Sequence, residues 1–188
     1  GAWEAGVKVA AGYPGTPSTE ILENLVRFKQ DVYCEWAPNE KVALEMAAGA
    51  ALTGVRALVT MKHVGLNVAA DPLMTLSYIG IVGGMVIVAA DDPGMHSSQT
   101  EQDTRQYARL AKVPVFEPGN AREASAFIRR AFEISEKYRT PVIFRTTTSV
   151  SHSRALVEVG ARTEAGTADF EKNPPQFVPI PVWGRKLR

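Results

Sequence analysis

The chain has 188 residues, and its 45% hydrophobic and 22% charged content is typical of a globular domain with a sizeable core. Its 21 Lys and Arg residues and 20 Asp and Glu residues give a formal net charge of +1, which argues against a nucleic-acid partner or an anionic membrane surface. Cys34 is the only cysteine, so the chain forms no internal disulfide and builds no zinc or iron–sulfur site from its own cysteines alone. We expect a reducing, cytoplasmic location, and no run reaches the roughly 20 apolar residues of a membrane helix.

Short apolar runs alternate with helical patterns along most of the chain. The pattern predicts strands at residues 7–11, 32–36, 56–61, 85–90, 115–117 and 142–146. It predicts helices at residues 18–28, 39–52, 67–78, 104–112 and 121–138. Six strands separated by helices predict an α/β fold with a mostly parallel six-stranded sheet that has helices on both faces.

Three polar loops, at residues 12–19, 62–67 and 91–103, follow predicted strands. Because ligands of such sheets bind beyond the carboxyl ends of the strands, we expect the site among these loops. Residues 151–188 have little apolar periodicity and are rich in proline. This composition predicts a first domain at residues 1–150, followed by an extended arm toward a further domain. The aromatic residues of this arm are candidates to dock on a neighbouring surface: Phe170, Phe177 and Trp183.

The most informative segment is PNEKVALEMAAGAALTG, in which Glu40 precedes a helix with almost no polar face. A helix that is apolar on every side is normally buried, and a charged group at its start is costly unless something binds it. In the alternative interpretation, Glu40 only complements the helix dipole behind an Asn39 cap. This segment alone leaves both interpretations open.

The common nucleotide-binding and nucleophile signatures are missing from the sequence. There is no G-x-G-x-x-G after a strand, no G-x-x-x-x-G-K-S/T and no G-x-S-x-G, and the three histidines lack metal-ligand spacing. A serine hydrolase is therefore not expected, and neither is a metal site built from these residues. The chain also begins without an initiator Met, so we expect it to be part of a longer polypeptide.

Four segments together resemble one enzyme family. They are AGYPGTPSTEI, EWAPNEKVALEMAAGAALTG, TMKHVGLNVAADPLM and SSQTEQDTRQYARLA. In this order they resemble the pyrimidine-binding domain of thiamine-diphosphate-dependent 2-oxoacid:ferredoxin oxidoreductases, and most closely its indolepyruvate branch. The resemblance covers roughly residues 1–150 and implies the thiamine-diphosphate-binding fold. It also implies oxidative decarboxylation of aryl pyruvates to acyl-CoA, with ferredoxin as the electron acceptor.

The resemblance gives Glu40 a catalytic role. In the family a glutamate hydrogen-bonds the N1′ atom of the aminopyrimidine and favours the imino tautomer, whose exocyclic nitrogen removes the thiazolium C2 proton. The other cofactor-binding candidates implied by the family motifs are Tyr13, Pro14, His63 and Gly65. The substrate-binding candidates are Thr16, Lys62, His63, Ser98 and Arg105.

Structural alternatives stay open for several of these residues. In one alternative, the Thr16 hydroxyl simply forms a hydrogen bond within its own turn or with the next helix. A Lys-His pair such as Lys62 and His63 usually faces solvent when it lies in a loop. Asp91 and Asp92 are interpreted as capping and solvated residues of the loop that contains Ser98.

By the same resemblance, the enzyme needs parts that these residues do not supply. A diphosphate-binding domain with Mg²⁺ and an iron–sulfur domain with 4Fe–4S clusters are expected on the same or another chain. A second subunit, ferredoxin and coenzyme A are the expected partners, in an oligomer. The isolated chain is expected to bind thiamine diphosphate weakly or not at all and to turn over no oxoacid. The alternatives are another 2-oxoacid:ferredoxin oxidoreductase, a thiamine-dependent decarboxylase or transketolase domain, and a non-catalytic doubly wound dimerisation module.

Overall fold

The computed structural model describes residues 1–164, 166–167 and 172–187. Within these residues the strands are β1 (Val9–Gly12), β2 (Tyr33–Trp36), β3 (Ala57–Lys62), β4 (Met85–Asp91), β5 (Val115–Phe116) and β6 (Val142–Thr147). They form one six-stranded sheet in the order β2-β1-β3-β4-β6-β5. Every neighbouring pair is parallel, which confirms the predicted α/β class.

Helices lie between and after the strands. They are α1 (Thr19–Leu25), α2 (Glu40–Leu52), α3 (His63–Val68), α4 (Ala70–Ile79), α5 (Arg105–Ala111), α6 (Ala121–Tyr138), α7 (Thr148–Ser151), α8 (Pro174–Phe177) and α9 (Pro181–Gly184). In the part of the chain that the structure describes, no helix combines the length and apolar character needed to cross a bilayer.

Two apolar cores lie on opposite faces of the sheet. Successive residues of a strand point to opposite faces, and in β3 Leu58 belongs to one core while Val59 belongs to the other. The core with Leu58 contains Phe132 of α6, and the core with Val59 contains Leu44 of α2. Every residue of β3 and β4 is buried, as expected for central parallel strands covered on both faces.

The region after β3 differs from the prediction. A loop was expected at residues 62–67 and a helix from Asn67, but β3 continues to Lys62 and α3 begins directly at His63. Asn67 lies inside α3, and the chain continues as α4 after Ala69. The prediction is wrong because Lys62 occupies the N-cap position without a side-chain hydrogen bond, so the usual polar start signal is missing.

Helix α2 begins where the sequence predicts. The Asn39 side chain accepts a hydrogen bond from the backbone N–H of Val42 at 2.9 Å. The expectation that the whole helix is buried is wrong for one face, because Glu45 and Gly49 are exposed and Met46 is half-buried. Only the opposite face packs on the sheet, and it consists of Ala43, Leu44, Ala47, Ala48 and Ala51.

The segment after α7 returns to the amino-terminal end of the chain. The backbone N–H of Gly160 donates to the Glu4 carboxylate at 2.7 Å, and the Arg162 guanidinium donates to two backbone carbonyls near the start of β1. Further on, Phe177 packs against the core that contains α2. Trp183 is half-buried, and Phe170 lies outside the described residues. The domain boundary near residue 150 stays a prediction.

Candidate functional site

The carboxyl ends of four neighbouring strands bring most of the candidate residues to one edge of the sheet. In the register of the sheet, Gly12 at the end of β1 lies beside both Trp36 of β2 and Thr60 of β3. Lys62 at the end of β3 lies beside Ala90 of β4. The YPGTP turn, the start of α2 and the loop after β4 all follow these strand ends, which is where parallel sheets bind ligands.

Glu40 is the first residue of α2, and its side chain lies against Gly65 of α3. A Cβ atom on Gly65 would come within 2.5 Å of both Cγ and Oε1 of Glu40, so only glycine leaves room for this carboxylate. The side chain is half-buried. Among the described residues, none donates a hydrogen bond to the carboxylate or forms an ion pair with it. The group is therefore free to accept a hydrogen bond from a ligand.

A second close approach lies at the end of β1. A Cβ atom on Gly12 would come within 2.5 Å of the Thr60 hydroxyl and 3.2 Å of the Trp36 ring. The Thr60 hydroxyl is buried and has no hydrogen-bond partner. Trp36 and Tyr13 still expose 39% and 38% of their surface, so two aromatic residues remain partly accessible beside this strand end. Sequence reasoning missed Gly12, Thr60 and Trp36, because only the parallel register brings them together.

Lys62 and His63 do not face solvent, contrary to the usual behaviour of such a pair. Lys62 is only 8% exposed, and its ammonium donates to the Ser97 carbonyl at 2.7 Å. Its aliphatic stem lies under the YPGTP turn, since a Cβ atom on Gly15 would be 3.2 Å from the Lys62 Cβ. Within the described chain, no carboxylate pairs with this ammonium. It is a buried cation held by neutral oxygens.

His63 is fully buried at the start of α3. Its Nε2 atom lies 3.0 Å from the Thr100 carbonyl. A carbonyl oxygen only accepts, so Nε2 donates in this contact, and Nδ1 is the acceptor atom of the corresponding imidazole tautomer. That Nδ1 atom is buried without a hydrogen-bond partner.

Two aspartates at the end of β4 organise the following loop. Asp91 is fully buried and accepts hydrogen bonds from Arg145 at 2.6 Å and from the backbone of Thr104 at 3.0 Å. Asp92 is 1% exposed, and hydrogen bonds from the Ser98 hydroxyl and from the backbone of Ser97 hold its pKa well below the usual range. The interpretation of both aspartates as solvated loop residues is wrong. Instead, they fix the loop to the sheet.

The remaining candidates have partners within the chain or lie at the surface. The Ser98 hydroxyl donates to Asp92 at 2.6 Å, and the Arg105 guanidinium donates to Asp103 at 2.8 and 2.9 Å. Thr16 and Pro14 are exposed in the turn after β1. Across the described residues, no group of three His, Cys, Asp or Glu side chains could hold a metal ion. The ligand-binding roles of these four candidates stay predictions.

Comparison with known proteins identifies the family. The family model of the thiamine-diphosphate-binding domain of pyruvate flavodoxin/ferredoxin oxidoreductases matches residues 1–178. The chain belongs to this family. The resemblance inferred from the four sequence segments is thereby confirmed.

Among its relatives, indolepyruvate oxidoreductase subunit IorA of Methanothermobacter marburgensis is 54% identical over an alignment of 188 positions. This alignment covers 98% of this chain and 30% of the relative. The subunit of the same name from Archaeoglobus fulgidus is 49% identical over an alignment of 196 positions, which covers 100% of this chain and 32% of the relative. The chain thus spans about a third of the length of these curated relatives. A solved structure of 2-oxoglutarate:ferredoxin oxidoreductase from Magnetococcus marinus matches with a TM-score of 0.71 at 17% identity, over 80% of this chain and 28% of that one, which supports the fold.

Proposed function

We propose that this chain is the pyrimidine-binding domain of an oxidoreductase that oxidatively decarboxylates aryl pyruvates of the indolepyruvate type. In this proposal ferredoxin accepts the electrons and the product is an acyl-CoA. Family membership and two relatives named indolepyruvate oxidoreductase subunits at about half identity support it. The observation that carries it is the Glu40 carboxylate, half-buried and unpartnered against Gly65.

The residues around Glu40 fit the aminopyrimidine end of thiamine diphosphate. The carboxylate supplies an acceptor for a ring N1′ proton, and Gly65 leaves room for that carboxylate, as Gly12 leaves room for the Thr60 hydroxyl and the Trp36 ring. The partly accessible aromatic residues Tyr13 and Trp36 are suited to a flat heteroaromatic ring. The cofactor, when bound, supplies an acidic C–H group and an electron sink for decarboxylation.

Glu40 in this proposal holds a proton at N1′ of the ring. A hydrogen bond to a carboxylate is stronger where water is scarce, and the half-buried start of α2 provides such a place. Pro14, Gly65 and His63 would line the same region, with the unpaired Nδ1 atom of His63 as a further acceptor. The Thr60 hydroxyl, also unpaired, joins this set.

Lys62 is the strongest candidate to receive the carboxylate of a 2-oxoacid. Burying an ammonium without an opposite charge is costly, and an incoming carboxylate would lower that cost. Of its three N–H donors, the Ser97 oxygens engage at most two, so at least one remains for a ligand. Thr16 lies exposed at the same edge, whereas Ser98 and Arg105 would first have to release Asp92 and Asp103.

The remaining parts of the reaction are proposed to lie on other domains or chains. Mg²⁺ with the diphosphate group, the 4Fe–4S clusters and the ferredoxin contact are assigned there, because the chain has a single cysteine and covers about a third of its relatives. A second subunit, coenzyme A and an oligomeric complex complete the proposal.

The test is a substrate profile of the complete enzyme. Reduction of a viologen dye is measured with indolepyruvate, phenylpyruvate, pyruvate and 2-oxoglutarate, each with coenzyme A. The proposal expects the two aryl pyruvates to have the highest kcat/KM. A preference for pyruvate or 2-oxoglutarate would contradict the assigned substrate class, and no turnover of any of the four would favour a non-catalytic dimerisation module.

A further inference from the structure

Two buried opposite charges lie on either side of a single residue at the candidate site. Asp92 is 1% exposed and Lys62 is 8% exposed. The backbone N–H of Ser97 donates to the Asp92 carboxylate at 2.7 Å, while the carbonyl of Ser97 accepts from the Lys62 ammonium at 2.7 Å. In the described part of the chain, neither charge forms an ion pair with an opposite charge. Ser97 is thus the shared partner of a buried anion and a buried cation.

The anion side of this arrangement is fixed to the sheet. Asp92 follows the last residue of β4, and its carboxylate also accepts from the Ser98 hydroxyl at 2.6 Å and from the Thr148 hydroxyl at 2.8 Å. Thr148 begins α7 directly after β6, so the contact ties the loop after β4 to the neighbouring strand. Charge-assisted hydrogen bonds of this kind are about twice as strong as neutral ones, which makes Asp92 a firm anchor.

The cation side needs such an anchor. A lysine side chain is a flexible four-carbon stem with a point charge at its end. The side chain alone therefore does not fix the position of its ammonium group. Here the stem lies under Gly15 and the ammonium is held by the Ser97 carbonyl and, more weakly, by the Ser97 hydroxyl at 3.4 Å. The same hydroxyl lies 3.4 Å from the Thr16 carbonyl, which it contacts as a donor.

We propose that Asp92 is a positioning residue that acts through Ser97 to hold the Lys62 ammonium where the carboxylate of the 2-oxoacid binds. The inference rests on the proposed function, since it requires that Lys62 receives that carboxylate. Removing the charge of Asp92 loosens the backbone of Ser97, and the ammonium then loses its fixed place. Binding of the substrate carboxylate should weaken, whereas Glu40, which lies against Gly65 and forms no hydrogen bond with Ser97 or Asp92, should keep its environment.

The test is Asp92→Asn in the complete enzyme, with two indole inhibitors as probes. Indole-3-propionate carries a carboxylate and indole-3-propanol carries none. The KM for the aryl pyruvate and the Ki of the propionate are expected to rise about tenfold. This is the usual loss of affinity when a hydrogen bond to a charged group is removed. The kcat and the Ki of the propanol are expected to stay within about twofold. Glu133→Gln, an exposed carboxylate-to-amide change on α6, is the matched control and should change none of these values.

A second pair of variants covers the case in which Asp92→Asn does not fold. Thr148→Val removes one donor to Asp92 and keeps its charge, and should raise the KM and the propionate Ki about threefold. Thr148→Ser keeps the donor and should restore wild-type values. Unchanged propionate binding in a folded variant, or equal weakening of both probes, would overturn the proposal. Absence of aryl-pyruvate turnover in the wild type would instead overturn the proposed function, so the two failures are distinguishable.

Discussion

Gly65→Ala tests whether the position of the Glu40 carboxylate matters. The new Cβ atom would lie 2.5 Å from Cγ and Oε1 of Glu40, whereas ordinary contacts begin at 3.4 Å, so the carboxylate must retreat by about 0.9 Å. These atoms are the end of a flexible side chain, and alanine favours a helix over glycine by about 1 kcal/mol, so the fold should survive. A misplacement of about 1 Å can reduce catalysis about a hundredfold, and we expect that loss in kcat/KM.

The assay is 2-oxoacid-dependent viologen reduction by the complete enzyme, with the thermal midpoint of unfolding measured in parallel. Gly49→Ala is the matched control, because Gly49 lies on the exposed face of α2 and a Cβ atom there has no neighbour within 4 Å. This control should stabilise the fold by about 0.4–1 kcal/mol and leave turnover unchanged. Full activity of Gly65→Ala would refute the claim that catalysis requires the carboxylate in this place.

Two further predictions concern stability. Ser135→Ala should destabilise the protein by about 1–3 kcal/mol in chemical denaturation, because it removes the buried hydroxyl that accepts from the Met85 backbone N–H at 2.9 Å. The exposed change Ser153→Ala should stay within about 0.5 kcal/mol, and an equal effect of the two would contradict this account. Hydrogen bonds from Ser98 and Ser97 lower the pKa of Asp92 in the native state. As the pH falls, the Asp92 carboxylate therefore stays ionised in the folded protein at pH values where it takes up a proton in the unfolded chain. The contribution of the Asp92 carboxylate to the free energy of unfolding is present above about pH 3.9 and is lost as the pH falls below that value. The free energy of unfolding should therefore decline more steeply between about pH 5 and pH 3 in the wild type than in Asp92→Asn, and equal slopes would show that Asp92 has no such role.

The sequence predicts the fold class because strand and helix periodicities are strong in this chain. Helix α6 is predicted with its observed bounds, since its apolar stripe is clear and Asn120 caps its start. The junction between β3 and α3 could not be predicted in the same way. Lys62 is both the last strand residue and the helix cap, and no polar cap or turn residue separates the two elements.

The candidate site is only partly visible in the sequence. Glu40 stands out because a carboxylate before an apolar helix is unusual, and the family segments point to the same residue. The contact with Gly65 could not be read from one sequence, because the two residues come together only when α2 and α3 pack. Likewise, Asp91 looks like a loop residue until Arg145, 54 positions away, pairs with it in the sheet.

Glu40→Gln in the complete enzyme tests the central claim most directly. Glutamine keeps the size of the side chain but loses the charge that holds a proton at the ring N1′ atom. With thiamine diphosphate bound, the exchange rate of the thiazolium C2 proton should fall by about 10²–10⁴-fold, the range for loss of acid–base assistance, and oxoacid turnover should fall with it. Unchanged proton exchange and unchanged turnover in a variant that still binds the cofactor would contradict the account.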